Sequence, residues 1–317
     1  MSGARVQLRG TTRLTGLRAR AQRIGLSSRF EMQNSHHDIP PSLVQALRSA
    51  QRVVVFTGAG VSAESGIATF RDALTGLWSR FDAQALATPE AFRAHPDVVW
   101  GWYEWRRAQA LRASPNAAHE AIAALHRHVP DLTVITQNVD DLHERAGSTQ
   151  VVHLHGSLHA PRCSRCGAPQ AVGDTGCTDK RSADDLHAGA SNTDSPNADV
   201  PDPGQPDEGR RIDPPSCTQC GAPVRPGVVW FGESLPSDAW STALRAAQQC
   251  DLLFSIGTSA LVYPAAELPQ RALAAGATVV QVNPNPTPLD AHAHCNLHGA
   301  AAEVMPRVLA AAFGQPV

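Results

Sequence analysis

The sequence predicts an α/β fold, a parallel sheet with helices on both faces, joined to a small cysteine-bearing module. Three observations carry this. Short apolar runs rich in Val, Ile and Leu recur between helix-like stretches, and each ends in a glycine or polar turn. The alternation is interrupted once, by a polar segment lying between two Cys-x-x-Cys pairs. Apolar runs of this kind suit strands buried on both faces, as crossover helices require.

Taken in order, residues 1–35 form a basic extension that is expected to be disordered. Arg5, Arg9, Arg13, Arg18, Arg20, Arg23 and Arg29 precede the first acidic residue, Glu31. Leu14, Leu17, Ala21 and Ile24 fall near helical spacing, so the segment fits either an organelle transit peptide or a start lying upstream of Met32. Residues 36–317 are expected to form the main domain. Leu43, Val44 and Leu47 suit a short helix, and Val53-Val54-Val55-Phe56 a buried strand. Further strands are expected at Leu132–Ile135, Leu252–Ile256 and Thr278–Val282, and Val98–Arg107 should be helical. Residues 171–215 are rich in Asp, Gly, Ser, Pro and Asn. They read as a flexible insertion inside a module spanning 160–226.

Composition narrows the function. A chain of 317 residues that is 42% hydrophobic can build a proper core. A formal net charge of -2 gives no electrostatic support for binding nucleic acid or an anionic membrane. No apolar run approaches the roughly 18 residues a bilayer span needs, so a soluble protein is expected, in the cytoplasm or, with a transit peptide, the mitochondrion.

The seven cysteines are an odd number, and four form the pairs Cys163/Cys166 and Cys217/Cys220. Each pair is followed by glycine, Gly167 and Gly221, as in zinc-ribbon knuckles. Two such pairs make a closed tetrahedral thiolate site with no open position, so one structural zinc is expected. Cys177, inside the insertion, lacks a nearby partner and is left out of the ligand set. Cys250 and Cys295 read as buried thiols.

Directly after the first strand, Gly58, Gly60 and Ala63 fit the G-x-G-x-x-G/A fingerprint of a Rossmann-like sheet. Small residues let backbone approach a pyrophosphate, and a following helix N-terminus would add N–H donors. Tight strand-to-helix turns also use glycine for purely steric reasons.

The longer phrase Gly58–Asp72, with Thr69-Phe70-Arg71-Asp72 at its end, resembles the signature of the sirtuin family of NAD⁺-dependent protein deacylases. Four further blocks agree in order: Thr136–His143, His153–Ser157, Val228–Glu233, and Gly257-Thr258-Ser259 with Asn283-Pro284-Asn285. The resemblance runs from about Ser42 to Leu309 apart from the insertion. It implies that NAD⁺ is consumed as co-substrate, releasing nicotinamide and leaving O-acyl-ADP-ribose and a free lysine. Gly58, Ala59, Gly60, Ser62, Ala63, Glu64, Ile67, Phe70 and Arg71 would line the NAD⁺ site. Gln137 would contact the ribose, and Asn138, Val139 and Asp140 the nicotinamide pocket. Gly257, Thr258 and Ser259 would meet ribose or phosphates, Asn283 and Asn285 the adenosine ribose, and Ala301 the adenine side. His155 would be the general base toward a ribose hydroxyl, while His153 and His159 would be neighbours without a chemical role. Val229, Trp230, Phe231 and Gly232 would pair in extended form with an acylated peptide. The protein is expected to act as a monomer.

Tyr103 and Arg106 lie three apart and share a helix face. A Tyr-x-x-Arg pair at this place is similar to the sirtuin class that removes succinyl, malonyl or glutaryl groups. An arginine fork with a phenol hydroxyl suits a distal carboxylate, which acetyl-lysine lacks. A plain deacetylase, a mono-ADP-ribosyltransferase, a nicotinamide-dependent oxidoreductase and a zinc-ribbon interaction module are the competing readings.

Overall fold

A computed structural model describes residues 38–68, 82–171 and 211–314. Phe70, Arg71 and Cys177, the 1–35 extension and most of the insertion lie outside the described residues. The described fold belongs to one unit, Ile39–Val317.

Its centre is the strand β1 (Arg52–Thr57), whose run Val53-Val54-Val55-Phe56 is almost entirely buried. In chain order the other strands are β2 (Asp131–Thr136), β3 (Val151–His153), β4 (Gly156–Cys163), β5 (Val224–Val228), β6 (Leu252–Ile256), β7 (Thr278–Asn283) and β8 (Cys295–His298). Six of them make one parallel sheet in the order β3-β2-β1-β6-β7-β8. The helices are α1 (Pro41–Ser49), α2 (Ala83–Leu86), α3 (Pro89–Ala94), α4 (Pro96–Arg112), α5 (Ala117–Ala124), α6 (Leu142–Arg145), α7 (Ser237–Gln249), α8 (Leu268–Ala274) and α9 (Ala301–Phe313).

Strand alternation sorts the core into two layers. Val53 and Val55 pack with α1, α5 and α9, through Leu47, Ile122 and Val308. Val54 and Phe56 pack with α7 and α8, through Ala243, Ala247 and Leu268. That is why the Val53–Phe56 run carries no polar residue on either face. Strand order reverses between β1 and β6, so the crevice beyond their carboxyl ends is the topological switch point where such sheets bind ligands.

The second sheet is the antiparallel pair β4–β5, which carries the cysteine module. Against its near end a third cluster forms from α2, α3 and α4, with Phe92, Val99, Trp102 and Tyr103 packed on Leu158, Val228 and Trp230. No helix among the described residues is long and apolar enough to cross a membrane.

One expectation about the first turn is corrected. No α-helix opens directly after β1; the chain makes two 3₁₀ turns, Ala59–Val61 and Ala63–Ser65. The reason is a crowded junction. A Cβ on Gly60 would lie 2.7 Å from Gly257 Cα, and one on Gly58 2.9 Å from Gly257 O. Gly257 itself adopts φ +59. The steric role of these glycines is therefore real, and it leaves the backbone at the switch point bare.

Candidate active site and zinc centre

The site is assembled where β1, β2 and β6 end. Gly60 N–H donates to Gly257 O at 2.8 Å, locking the first turn to the β6 turn. Gln137, just past β2, donates from Nε2 to Thr258 Oγ1 at 2.9 Å. Ser62 is buried between two neighbours, accepting from Asn138 Nδ2 at 3.0 Å and donating to Asp140 Oδ2 at 3.3 Å. Asp140 also accepts from Leu142 N–H at 3.2 Å, at the start of α6. Burial raises its carboxyl above the ordinary range, against the two hydrogen bonds that favour the anion. Asn138, Asp140 and Ser62 thus form one buried polar group facing the switch-point crevice.

Asn283 ends β7 and donates from Nδ2 to Asn285 O at 2.8 Å, and Ala301 begins α9. Both flank the same sheet end. Ala63 and Glu64 are exposed on the second 3₁₀ turn, and Ile67 packs against the α4 cluster. Val139 holds the start of β4 through its carbonyl, which accepts Leu158 N–H at 2.9 Å.

His155 sits in the β3–β4 turn, half-buried. Its Nδ1 lies 3.0 Å from Gln137 O, so Nδ1 carries the proton and donates to that carbonyl, leaving Nε2 as the lone-pair nitrogen. Burial lowers its pKa, opposed by the same hydrogen bond, and the ring is neutral near pH 7. His153 has a part that its residue type did not announce. It bridges Asn138 O at 3.2 Å and Glu144 at 2.6 Å, holding the backbone of the Asn138 turn from outside.

Tyr103 and Arg106 meet as expected on α4. The Arg106 guanidinium lies 5.6 Å from the Tyr103 ring centre and 5.0 Å from that of Trp102, within electrostatic reach of Asp140. Val139 packs against the cluster that holds Tyr103, so α4 sits beside the Asn138–Asp140 turn. The 228–233 block divides into a strand end and a turn. The strand stops at Val228, and Trp230–Glu233 make a turn closed by Glu233 N–H to Trp230 O at 3.0 Å. Trp230 is only 3% exposed, whereas Phe231 is 45% exposed. Glu233 causes the turn, because its carboxylate accepts Trp230 N–H and two Arg225 N–H groups.

Two supporting residues escaped the sequence reading. Asn116 caps α5 and donates from Nδ2 to Val61 O at 2.9 Å and Ser65 Oγ at 3.0 Å, tying both 3₁₀ turns down. Its Ser-Pro-Asn context signals a helix cap, but nothing local signals the contact with Val61. His143 bonds Thr57 Oγ1 through Nε2 at 2.9 Å under the floor of the site, with His119 edge-on at 4.9 Å.

Burial lowers His143 to about 3 and His119 to about 4. Both stay neutral in the fold while the unfolded chain takes up protons below about pH 6.5. Their contribution is complete above that pH and is lost as pH falls toward 4. We expect the melting temperature to drop by about 5 °C or more between pH 6.5 and 5, and His143→Gln to flatten the slope. A pH-independent melting temperature over that range, by calorimetry, would contradict it.

The four module cysteines converge. Their Sγ atoms all lie within 4.8 Å of one another, with Cys163–Cys220 at 3.4 Å and Cys166–Cys217 at 3.8 Å. A tetrahedron of zinc–sulfur bonds of about 2.3 Å has edges of about 3.8 Å, so the set fits zinc. Backbone N–H groups of Cys166 and Arg165 point at Cys163 Sγ and favour the thiolate form that a metal needs.

Comparison with known proteins agrees with this geometry. Residues 58–264 match the Sir2 family. An NAD-dependent protein deacylase of Methylococcus capsulatus is 58% identical over 269 residues, 85% of this chain and 95% of that protein. A Sir2 homolog–NAD complex superposes with a TM-score of 0.70 at 40% identity, over 86% of this chain and 95% of that one. A Sir2 protein bound to acetylated peptide gives 0.67 at 29%, over 84% and 96%. With a parallel sheet whose switch point carries these turns, and a four-cysteine zinc module beside it, this chain belongs to the Sir2 family.

Proposed function

We propose that this chain removes acyl groups from protein lysines with consumption of NAD⁺, and that it favours acyl groups ending in a carboxylate over acetyl. NAD⁺ supplies the nicotinamide leaving group and the ADP-ribose that carries the acyl group away. The switch-point turns suit the dinucleotide, and Gln137 and Thr258 suit a ribose edge. Asn138 and Asp140, coupled through Ser62, suit the nicotinamide carboxamide. His155 Nε2 is the proton acceptor for a ribose hydroxyl, its ring held by Gln137 O. Exposed Phe231, with Leu261 and Tyr263 also exposed, suits an extended acylated peptide. The protein acts as a monomer in this reading, and four reduced cysteines favour the cytoplasm.

The observation that carries the acyl preference is the Tyr103–Arg106 pair beside Asp140. A guanidinium fork partly removed from water gains most from a carboxylate that lies flat against it. Hydrogen bonds to charged groups contribute about 1.5–3 kcal/mol, which favours succinyl over acetyl by roughly 10- to 150-fold in kcat/KM. Arg106→Met should remove that preference and leave acetyl-peptide turnover nearly unchanged. Mass spectrometry of succinylated and acetylated peptides, with and without NAD⁺, reads both. Acetyl preferred by the unaltered enzyme would make it a plain deacetylase. Label passing from NAD⁺ to protein would make it an ADP-ribosyltransferase.

A further inference from the structure

A buried relay connects β5 to α4. Arg225, 8% exposed, is held by Glu233 through Nη1–Oε1 at 2.6 Å and Nη2–Oε2 at 2.9 Å, and also donates to Val228 O at 3.0 Å. Its guanidinium carbon lies 3.5 Å from the centre of the Trp230 ring. Trp230 Nε1–H in turn donates to the Tyr103 hydroxyl oxygen at 3.0 Å. Packing alone does not call for an indole here. Trp230 meets Phe92 at 5.4 Å and Tyr103 at 6.4 Å between ring centres, contacts that a phenylalanine would also make. What the indole adds is one N–H donor, and it is spent on Tyr103.

We infer that Trp230 is a specificity-determining positioning residue, whose N–H fixes the Tyr103 hydroxyl so that its proton is presented to the carboxylate end of an acyl group. A phenol O–H lies in its ring plane with two orientations. An N–H occupying the oxygen's lone pair on one side directs the proton to the other. Burial raises Tyr103 to about 12, so the hydroxyl keeps that proton at working pH. The Arg225 charge over the indole face polarises the N–H and strengthens its donation. Arg225 is itself neutralised by Glu233, so the indole is clamped in place and in orientation. Through this relay the buried indole of Trp230 sets how well α4 recognises an acidic acyl group.

The inference rests on the proposed acyl preference, and the experiment separates the two. Trp230→Phe keeps the ring and removes the donor. We expect succinyl-peptide kcat/KM to fall about 3- to 10-fold, mostly as a rise in KM, because the carboxylate is remote from the bond being broken. KM for NAD⁺ should stay within about twofold, and any loss on acetyl-peptide, from the peptide-facing backbone at Trp230, should be several-fold smaller than the loss on succinyl-peptide. In a Tyr103→Phe background the same change should have no further effect on succinyl-peptide, since the acceptor is already gone. Equal losses on both peptides would overturn the inference and leave Trp230 as a packing residue, as would an unaltered succinyl KM. If Trp230→Phe misfolds, additivity of Glu233→Gln with Tyr103→Phe on succinyl KM would overturn it instead. A selective effect of Arg106→Met without one of Trp230→Phe would sink the relay alone. Failure of Arg106→Met to act selectively would remove the acyl preference and the relay together.

Discussion

Replacing His155 with alanine should lower deacylation by about 10²–10⁴-fold or more, with zinc content and melting temperature unchanged. General-base groups contribute about that much, and the histidine two positions away is not set to replace it. His153 cannot, since both its nitrogens are engaged, with Asn138 O and Glu144. Among the described residues the His155 ring bonds Gln137 O at Nδ1, so its loss removes the lone pair at Nε2. The pH profile gives an independent reading. Because burial lowers the His155 pKa, the ring stays a competent base to a more acidic pH than an exposed histidine would. The acid limb of kcat/KM should therefore lie below about 6.5, with activity falling as pH drops through it. Activity within a few-fold of the unaltered enzyme in His155→Ala, or an acid limb above 7, would sink the assignment.

Much of this was legible before any coordinates, and the reason is physical. β1, β2, β6 and β7 are largely buried on both faces, so their sequences are mostly apolar, interrupted by single polar residues such as Thr133, Ser255 and Gln281, and end where the turns begin. The cysteine pairs were equally plain, because a tetrahedral site demands a spacing that a knuckle delivers. What could not be read were contacts joining distant segments. Asn116 reaches back 55 positions to Val61, and Trp230 lies 127 positions from Tyr103. The turn inside the 228–233 block was hidden for the same reason. Its β-branched and aromatic residues have strand propensity, yet Glu233 folds the chain back to meet Arg225. His153 looked like a bystander because its role depends on Glu144, one helix away.

Converting Cys163 or Cys217 to serine should abolish zinc binding and most of the folded stability. Both thiols are buried, at 2% and 4% exposure, and among the described residues the small cluster around them adds Ala222 and Cys220. So little apolar area cannot hold a module by itself. Structural zinc in small domains supplies about 10–16 kcal/mol of apparent binding free energy, which here is folding free energy for the β4–β5 arm. The loss should not stay local. Leu158 and Val228 belong to both that arm and the cluster that seats α4, and Val229 N–H donates to His155 O at 2.8 Å. Unfolding the arm thus releases the turn that carries the general base and the helix that carries Tyr103 and Arg106. We expect one zinc per chain by metal analysis, none in Cys217→Ser, and cooperative loss of activity and fold on strong chelation. Cys177→Ser should keep its metal. Zinc retained by Cys217→Ser but lost from Cys177→Ser would show that the ligand set is wrong.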